Sequence, residues 1–172
     1  MKSRIYFADA FPINSIKTEN RFGVGISRLS HAVAQGPFEM EVVVSGDFKT
    51  KIYLENFEIW QIGLIALVIE LLNKELITVG FGKNKGFGRI EVKVQKVKIN
   101  FAKSLSSNEI YGIGKISKKE EREKYGLTEY DAITVDVEPI KVSETLFVER
   151  IYNDNGWNMI SETSIKYLRD KL

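Results

Sequence analysis

Glycine, lysine and phenylalanine alternate in one short stretch near the middle of the chain, and these residue types can bind an anion. Glycine permits positive φ angles and a close approach of the backbone, so that amide groups can point at a phosphate. Lysine adds positive charge, and phenylalanine rings can stack on nucleic-acid bases. The stretch spans residues 80–89, and its candidate phosphate-binding residues are Gly80, Gly82, Lys83, Lys85, Gly86, Gly88 and Arg89.

The position of this glycine-rich loop excludes two common phosphate-binding motifs. It follows a predicted helix and precedes a predicted strand, whereas a dinucleotide-binding loop lies between a strand and a helix. A Walker loop ends in Gly-Lys-Ser/Thr at the start of a helix. An ordinary helix-to-strand turn, with solubilising lysines and buried phenylalanines, fits the same composition. The loop sequence alone leaves both interpretations open.

The elements around the loop follow from the periodicity of the apolar residues. Asn56 can cap a helix over 57–73, which is apolar on nearly every side and is therefore expected to be covered by a sheet and by other elements. Strict alternation predicts a strand at 90–98, and alternation also predicts a strand at 38–44. Residues 14–37 hold glycines and scattered basic residues, which indicates an excursion or a long hairpin.

The last third of the chain carries further strand and helix patterns. Alternation predicts a strand at 132–138, and a second strand is expected at 146–152. The run Asn-Asp-Asn-Gly at 153–156 is typical of a turn. A final helix, capped by Ser161 or Thr163, is expected to reach the end of the sequence.

Composition limits the classes of function. The 172 residues have a net charge of only +2, so a nucleic-acid site must be a local basic patch and not a global field. The absence of cysteine excludes disulfides and thiolate chemistry, and the one histidine, His31, excludes a multi-histidine metal centre. The longest apolar run, 59–72, is too short to span a bilayer. We expect a cytoplasmic protein with no membrane partner.

Four segments in order resemble the RAMP superfamily, specifically the backbone-subunit branch of type III CRISPR effectors. Residues 3–11 resemble that branch's strand motif, Ser-Arg-x-x-Phe-x-Asp-Ala. Thr18-Glu19-Asn20-Arg21, followed by Arg28, Gly36 and Phe38, resembles its Glu-Asn and spaced-arginine stretch. The apolar helix and the glycine-rich loop follow in the family's order, so the resemblance covers residues 3–99.

The resemblance implies an α+β fold of the ferredoxin-like, RNA-recognition-motif-like kind, ordered strand–helix–strand–strand–helix–strand. Residues 1–100 would supply its second to fourth strands and second helix, with a hairpin thumb at 14–37, and 101–131 would be a polar connector. The implied partners are CRISPR RNA, target RNA and other RAMP subunits. Arg21, Arg28 and His31 would contact RNA phosphates together with the loop, although His31 is equally consistent with an uninvolved loop residue.

The tail resembles the missing first half of the fold. In the family, a signature like Ile-Pro-Gly-Ser-Ser-Leu-Lys-Gly-x-x-Arg opens the first helix; here Ile160, Ser164, Lys166 and Arg169 are kept, while the proline and both glycines are not. We therefore expect residues 132–172 to supply the first strand and helix, with Lys166 binding RNA. The chain would then be permuted or part of a fused array, with a split domain and unrelated tail as the alternative.

RNA cleavage by this chain has less support from the sequence than RNA binding. Catalytic family members carry an aspartate before the first-helix signature, and the matching stretch, 139–155, has no recognisable copy of that segment. No catalytic residue, metal ligand or cofactor is therefore assigned, and RNA binding without cleavage is favoured. The alternatives are a metal-dependent endoribonuclease that uses Glu144, Glu149 or Asp154, and a scaffold domain that binds no RNA.

Overall fold

The computed structural model describes residues 3–103, 106 and 108–172. Positions 1, 2, 104, 105 and 107, which belong to the predicted segments 1–100 and 101–131, lie outside the described residues. The chain forms two compact units, the first ending at Glu55 and the second beginning at Asn56. Small antiparallel sheets occur in both units and the long helices in the second, so the fold is mixed α+β.

The first unit is one long hairpin arm made of three successive antiparallel pairs. The outer pair is β1 with β6, the middle pair β2 with β5, and the inner pair β3 with β4. Each pair nests inside the previous one, because the chain leaves along one side and returns along the other. The bounds are β1 Ile5–Phe7, β2 Phe11–Pro12, β3 Lys17–Ile26, β4 Val33–Ser45, β5 Phe48–Lys49 and β6 Ile52–Leu54.

The inner pair, β3 with β4, contains the stretch expected to form the thumb. The predicted strand at 38–44 lies within β4, and register shifts interrupt the pairing near Gly23 and Gly25. The turn between the strands is organised by Ser27, whose amide donates to the Ala32 carbonyl at 2.9 Å. A β-bulge at the register shifts near Gly23 and Gly25 bends and twists the hairpin locally.

The second unit combines a three-stranded sheet, a two-stranded sheet and two long helices. The larger sheet has the order β10-β11-β7, and the smaller one pairs β8 with β9; all pairs are antiparallel. The bounds are α1 Ile59–Asn73, β7 Val97–Phe101, β8 Glu109–Tyr111, α2 Ile113–Ile116, α3 Lys119–Tyr125, β9 Ala132–Thr134, β10 Lys141–Glu144, β11 Val148–Tyr152 and α4 Asp154–Arg169. The expected polar connector, 101–131, thus contains β8, α2 and α3.

The core of this unit includes buried residues of the strands and of both long helices, and α1 and α4 make the most extensive contact of any two of its elements. Gly63 of α1 marks the closest approach, since a β-carbon there would lie 2.3 Å from the Ser164 carbonyl oxygen of α4. Ile59, Ala66 and Ile160 are buried in the same core. The helix predicted over 57–73 is therefore present, and α4 is one of the elements that cover it.

Three predictions about the later elements are wrong. The strand predicted at 90–98 begins only at Val97, and residues 90–96 belong to no strand. The segment at 132–138 does not pair with 90–98, because β9 pairs with β8 and β11 takes the place beside β7. The 153–156 run is not a turn: Asn153 caps α4 by accepting the Gly156 amide at 3.0 Å, so the helix starts well before Ser161.

Replacing Gly63 by alanine tests the α1–α4 contact. Alanine in a helix interior normally stabilises by about 1 kcal/mol relative to glycine. Here the methyl group would collide with backbone atoms of α4, so we expect Gly63→Ala to lower the free energy of unfolding by about 1–3 kcal/mol. Denaturant unfolding measures the change, with Gly36→Ala as control because nothing lies within 4 Å of a β-carbon there. A Gly63→Ala protein as stable as the wild type would contradict this packing.

Candidate functional site

The glycine-rich loop leaves the end of α1 and is closed at its neck. The Val79 amide donates to the Gly88 carbonyl at 2.9 Å, and Gly88 has φ +86°. A β-carbon at position 88 would lie 1.9 Å from the Val79 carbonyl oxygen, so only glycine fits. Farther out, the Asn73 side chain donates to the Val92 carbonyl at 3.0 Å and accepts the Val92 amide at 2.7 Å. These bonds tie the two chain segments that flank the loop.

Inside the neck the loop is a tight turn around a phenylalanine ring. Lys83–Lys85 form a single 3₁₀ turn, and the Lys85 and Phe87 amides both donate to the Gly82 carbonyl, at 2.8 and 3.3 Å. The Phe87 ring lies against Gly82, where a β-carbon would be 2.5 Å from the ring. Gly80, Gly82 and Gly86 all have φ between +75° and +81°, a conformation that favours glycine. The glycines are therefore required by the loop backbone itself.

The charged side chains of the loop lie on its surface. Lys83 and Lys85 are exposed, and both belong to the 3₁₀ turn. Arg89 is exposed as well and makes an ion pair of 3.0 Å with Glu75. The loop therefore gathers seven of the predicted residues, and at Arg89 the positive charge is partly balanced by a neighbouring carboxylate.

The other predicted basic residues lie in the first unit. Arg21 is an exposed residue of β3 that pairs with Glu19 at 2.8 Å. Arg28 and His31 belong to the exposed turn after β3, where His31 has φ +54°. Extended chain between Arg21 and Arg28 spans roughly 20 Å, so these residues mark separate points along the arm.

Lys166 is not brought to the glycine-rich loop. It is exposed near the C-terminal end of α4, two residues beyond Ser164, which contacts Gly63 in the first half of α1. The loop follows the other end of α1, and the ten residues from Gly63 to Asn73 correspond to about 15 Å of helix. Lys166 therefore lies beside the beginning of α1.

Phe81, which is not among the predicted RNA-binding residues, is the most exposed aromatic side chain of the glycine-rich loop. Its exposed fraction is 84%, whereas Phe87 packs against Gly82. The alternation of phenylalanine with glycine does not indicate which of the two rings, Phe81 or Phe87, packs against the loop. The loop backbone decides it.

A buried carboxylate network, which the sequence patterns did not indicate, lies at the opposite end of α1. Asp131 is fully buried, and its two oxygens accept the Ile59 amide at 2.8 Å and the Gly114 amide at 3.0 Å. Glu58 is also buried and accepts the Thr128 amide at 2.8 Å. A β-carbon at Gly112 would lie 2.0 Å from Asp131 Oδ2, so glycine is needed for the carboxylate to fit.

Burial controls the protonation of this network. Loss of hydration raises the pKa of Asp131 from 3.8 to about 6, while the two amide hydrogen bonds oppose the shift. Burial also raises the pKa of Tyr167 to about 12, with the nearby Asp131 charge as the second cause. The Tyr167 hydroxyl donates to the Tyr130 carbonyl at 3.1 Å and so joins α4 to the same region. Backbone N–H donors occupy both carboxylate oxygens of Asp131, so this side chain has a structural role.

The acidic residues considered for catalysis are dispersed. Glu144 ends β10, Glu149 of β11 is paired with Lys98, and Asp154 lies in the first turn of α4. Among the described residues, no group of three or more histidine, aspartate or glutamate side chains is placed to share a metal ion.

The raised pKa of Asp131 predicts a pH dependence of stability. Because the folded pKa lies above the unfolded one, the stabilising contribution is complete below about pH 4 and is lost as the pH rises through 6. Relative to Asp131→Asn, we expect the wild-type free energy of unfolding to fall by about 2 kcal/mol between pH 4 and pH 7. Denaturant unfolding at several pH values measures the difference.

The Asp131→Asn variant also has an expected defect of its own. Its amide nitrogen would face a backbone N–H donor, so the variant should be less stable than the wild type by about 1–3 kcal/mol at low pH. Parallel pH profiles for the two proteins would contradict the assignment of the titration to Asp131.

Comparisons with known proteins bear on the first half of the chain and the start of the second unit. A sequence model of the RAMP superfamily matches residues 1–91, which is more than half of the chain. The match includes the hairpin arm, α1 and the glycine-rich loop. No curated protein matches the chain. None of the helices in the described part of the chain has the length and apolar character needed to cross a membrane.

Proposed function

The chain belongs to the RAMP superfamily, whose proteins are generally associated with RNA binding and CRISPR effector complexes, and we propose that it is a backbone subunit of a type III complex. In this proposal it grips the guide RNA through phosphates and does not cleave it. Its partners are CRISPR RNA, target RNA and other RAMP subunits.

The observation that carries the proposal is the glycine-rich loop. Its closed neck and left-handed glycines give a fixed backbone, and fixed backbone groups are suited to phosphate contacts because little ordering remains to be done on binding. Lys83 and Lys85 place two cations on one short turn. Contacts of this kind hold the nucleic-acid backbone and carry no sequence information.

The hairpin arm supplies the second part of the proposal. The β3–β4 pair is the thumb, with Arg21, Arg28 and His31 exposed along it. An arm with separated basic residues suits several phosphates of an extended strand better than one compact anion. The modest net charge of +2 agrees with local contacts rather than a general attraction to nucleic acid.

Removing both loop lysines tests phosphate binding. We expect Lys83→Ala with Lys85→Ala to weaken binding of unrelated single-stranded RNAs to a similar extent. The slope of log affinity against log salt should decrease by about 1.4, since each phosphate contact contributes about 0.7 for a single strand. Fluorescence anisotropy at several salt concentrations measures both quantities.

A matched variant controls for the loss of charge. Lys118→Ala with Lys119→Ala removes two neighbouring exposed lysines at the start of α3, and it should leave the salt slope unchanged. Equal effects of the two double variants would indicate a general electrostatic attraction. A loss confined to one RNA sequence would contradict phosphate gripping.

We also propose that the tail completes the family fold, with a strand different from the one expected. β11 pairs antiparallel with β7, and α4 follows it and packs on α1. This order and this pairing support the proposal that β11 and α4 are the first strand and first helix of a permuted ferredoxin-like unit. The strand on the other side of β11 from β7 is β10. In a ferredoxin-like unit the third strand would take that position.

Deletion of residues 139–172 tests this dependence. It removes β10, β11 and α4, so the buried face of α1 and one edge of β7 would meet water, an aggregation hazard. We expect an insoluble product or one without a cooperative thermal transition in circular dichroism. A shortened chain that melts cooperatively with the α1 helical signal retained would contradict the proposal.

A further inference from the structure

Phe81 has no structural task in the loop that carries it. A single exposed apolar side chain is common on protein surfaces. Phe81 differs because it lies between two glycines held at φ +76° and +75°, on a loop whose neck is closed by hydrogen bonding. Phe87 already fills the loop interior against Gly82, and Phe81 is left 84% exposed. The fixed loop backbone thus presents a ring that is mostly uncovered by the described residues of its unit.

We propose that Phe81 is a stacking platform for an unpaired RNA base and makes this site selective for single-stranded over duplex RNA. The inference rests on the proposed RNA-binding function and adds the class of RNA. Phosphate contacts from lysine are available to both forms, but the face of a base is available only where it is not stacked inside a helix. Every base has such a face, so the platform gives no sequence code.

The position of Phe81 relative to the charges supports this assignment. Lys83, the first residue of the 3₁₀ turn, is two positions away. One nucleotide can therefore offer its base to the ring and its phosphate to the lysine within the same short turn. An aromatic face next to a cation is the recurring composition of single-strand sites.

A protein partner is the competing occupant. Leu76, Ile77 and Val79 are also exposed before the loop, and together with Phe81 they could anchor a neighbouring subunit. The two occupants differ in what they require of position 81. Stacking needs a flat aromatic ring, whereas an apolar protein contact accepts an aliphatic side chain of similar size.

Binding of one RNA in single-stranded and duplex form by the full chain separates these cases. We expect the wild type to prefer the single strand, and Phe81→Ala to lose about tenfold in affinity for it while duplex affinity stays within about twofold. Phe81→Trp should retain the preference, and Phe81→Leu should lose it. Leu146→Ala removes another exposed apolar side chain of the second unit, 82% exposed, and should change neither affinity.

A spectroscopic signature tests stacking directly. An RNA with 2-aminopurine at successive positions should show quenching at one or more positions with the wild type and Phe81→Trp, and not with Phe81→Leu. Thermal melting of each variant should match the wild type, as expected for an exposed side chain.

The possible results distinguish a failure of the proposed RNA-binding function from a failure of the stacking platform. No RNA binding by the wild type at low salt would overturn the proposed function and this inference with it. Binding that depends on Lys83 and Lys85 but is unchanged in Phe81→Ala would overturn the platform alone. Equal losses for single strand and duplex would mean that Phe81 contacts RNA without stacking on an unpaired base and would overturn the platform. A change in self-association with RNA affinity intact would assign Phe81 to a protein contact and overturn it as well.

Discussion

The Asp131 carboxylate accepts hydrogen bonds from the first helical amide of α1 and from Gly114, and both donors are backbone groups that would otherwise be buried without partners. The charge sits at the positive end of the α1 helix dipole, which favours it, but burial opposes it and raises its pKa to about 6. Gly112 leaves the space that the carboxylate needs. This one side chain therefore joins the beginning of α1 to the segment that precedes β9.

The placement of α1 decides the placement of the glycine-rich loop. The helix is held at its start by Asp131 and in its first half by the close approach of Gly63 to α4. At its end, Asn73 bonds both backbone groups of Val92, so the loop begins and ends on a fixed base. A rigid base and a closed neck reduce the conformational freedom that binding would otherwise remove.

The basic residues that are proposed to bind RNA are arranged differently in the two units. In the second unit, Lys83 and Lys85 share one turn, and their spacing is set by the 3₁₀ geometry. In the first unit, Arg21, Arg28 and His31 are spread along a hairpin whose pairing register shifts at several points. Two lysines on one turn suit contact with a single phosphate, whereas basic residues spread along an arm suit successive phosphates of an RNA strand.

Features that depend on local chemistry could be predicted from the order of the residues alone. Apolar residues throughout 57–73 predicted α1, alternation placed a strand at 38–44, and the glycines at 80–89 predicted a loop with unusual backbone angles; all four have positive φ. The motif order also pointed to the superfamily that residues 1–91 match. These features could be predicted because each depends on residues that are close together in the sequence.

Tertiary structure alone decided which segments pair and which side chains are buried. Alternation at 90–94 is typical of a strand, but a strand needs a partner, and only Val97–Phe101 meets β11. Nothing local marks Asp131 as buried, because its donors come from α1 and α2, far away in sequence. Phe81 and Phe87 have nearly identical neighbours, and the fold of the loop exposes one and covers the other. Pairing and burial are properties of contacts between distant segments, which periodicity does not encode.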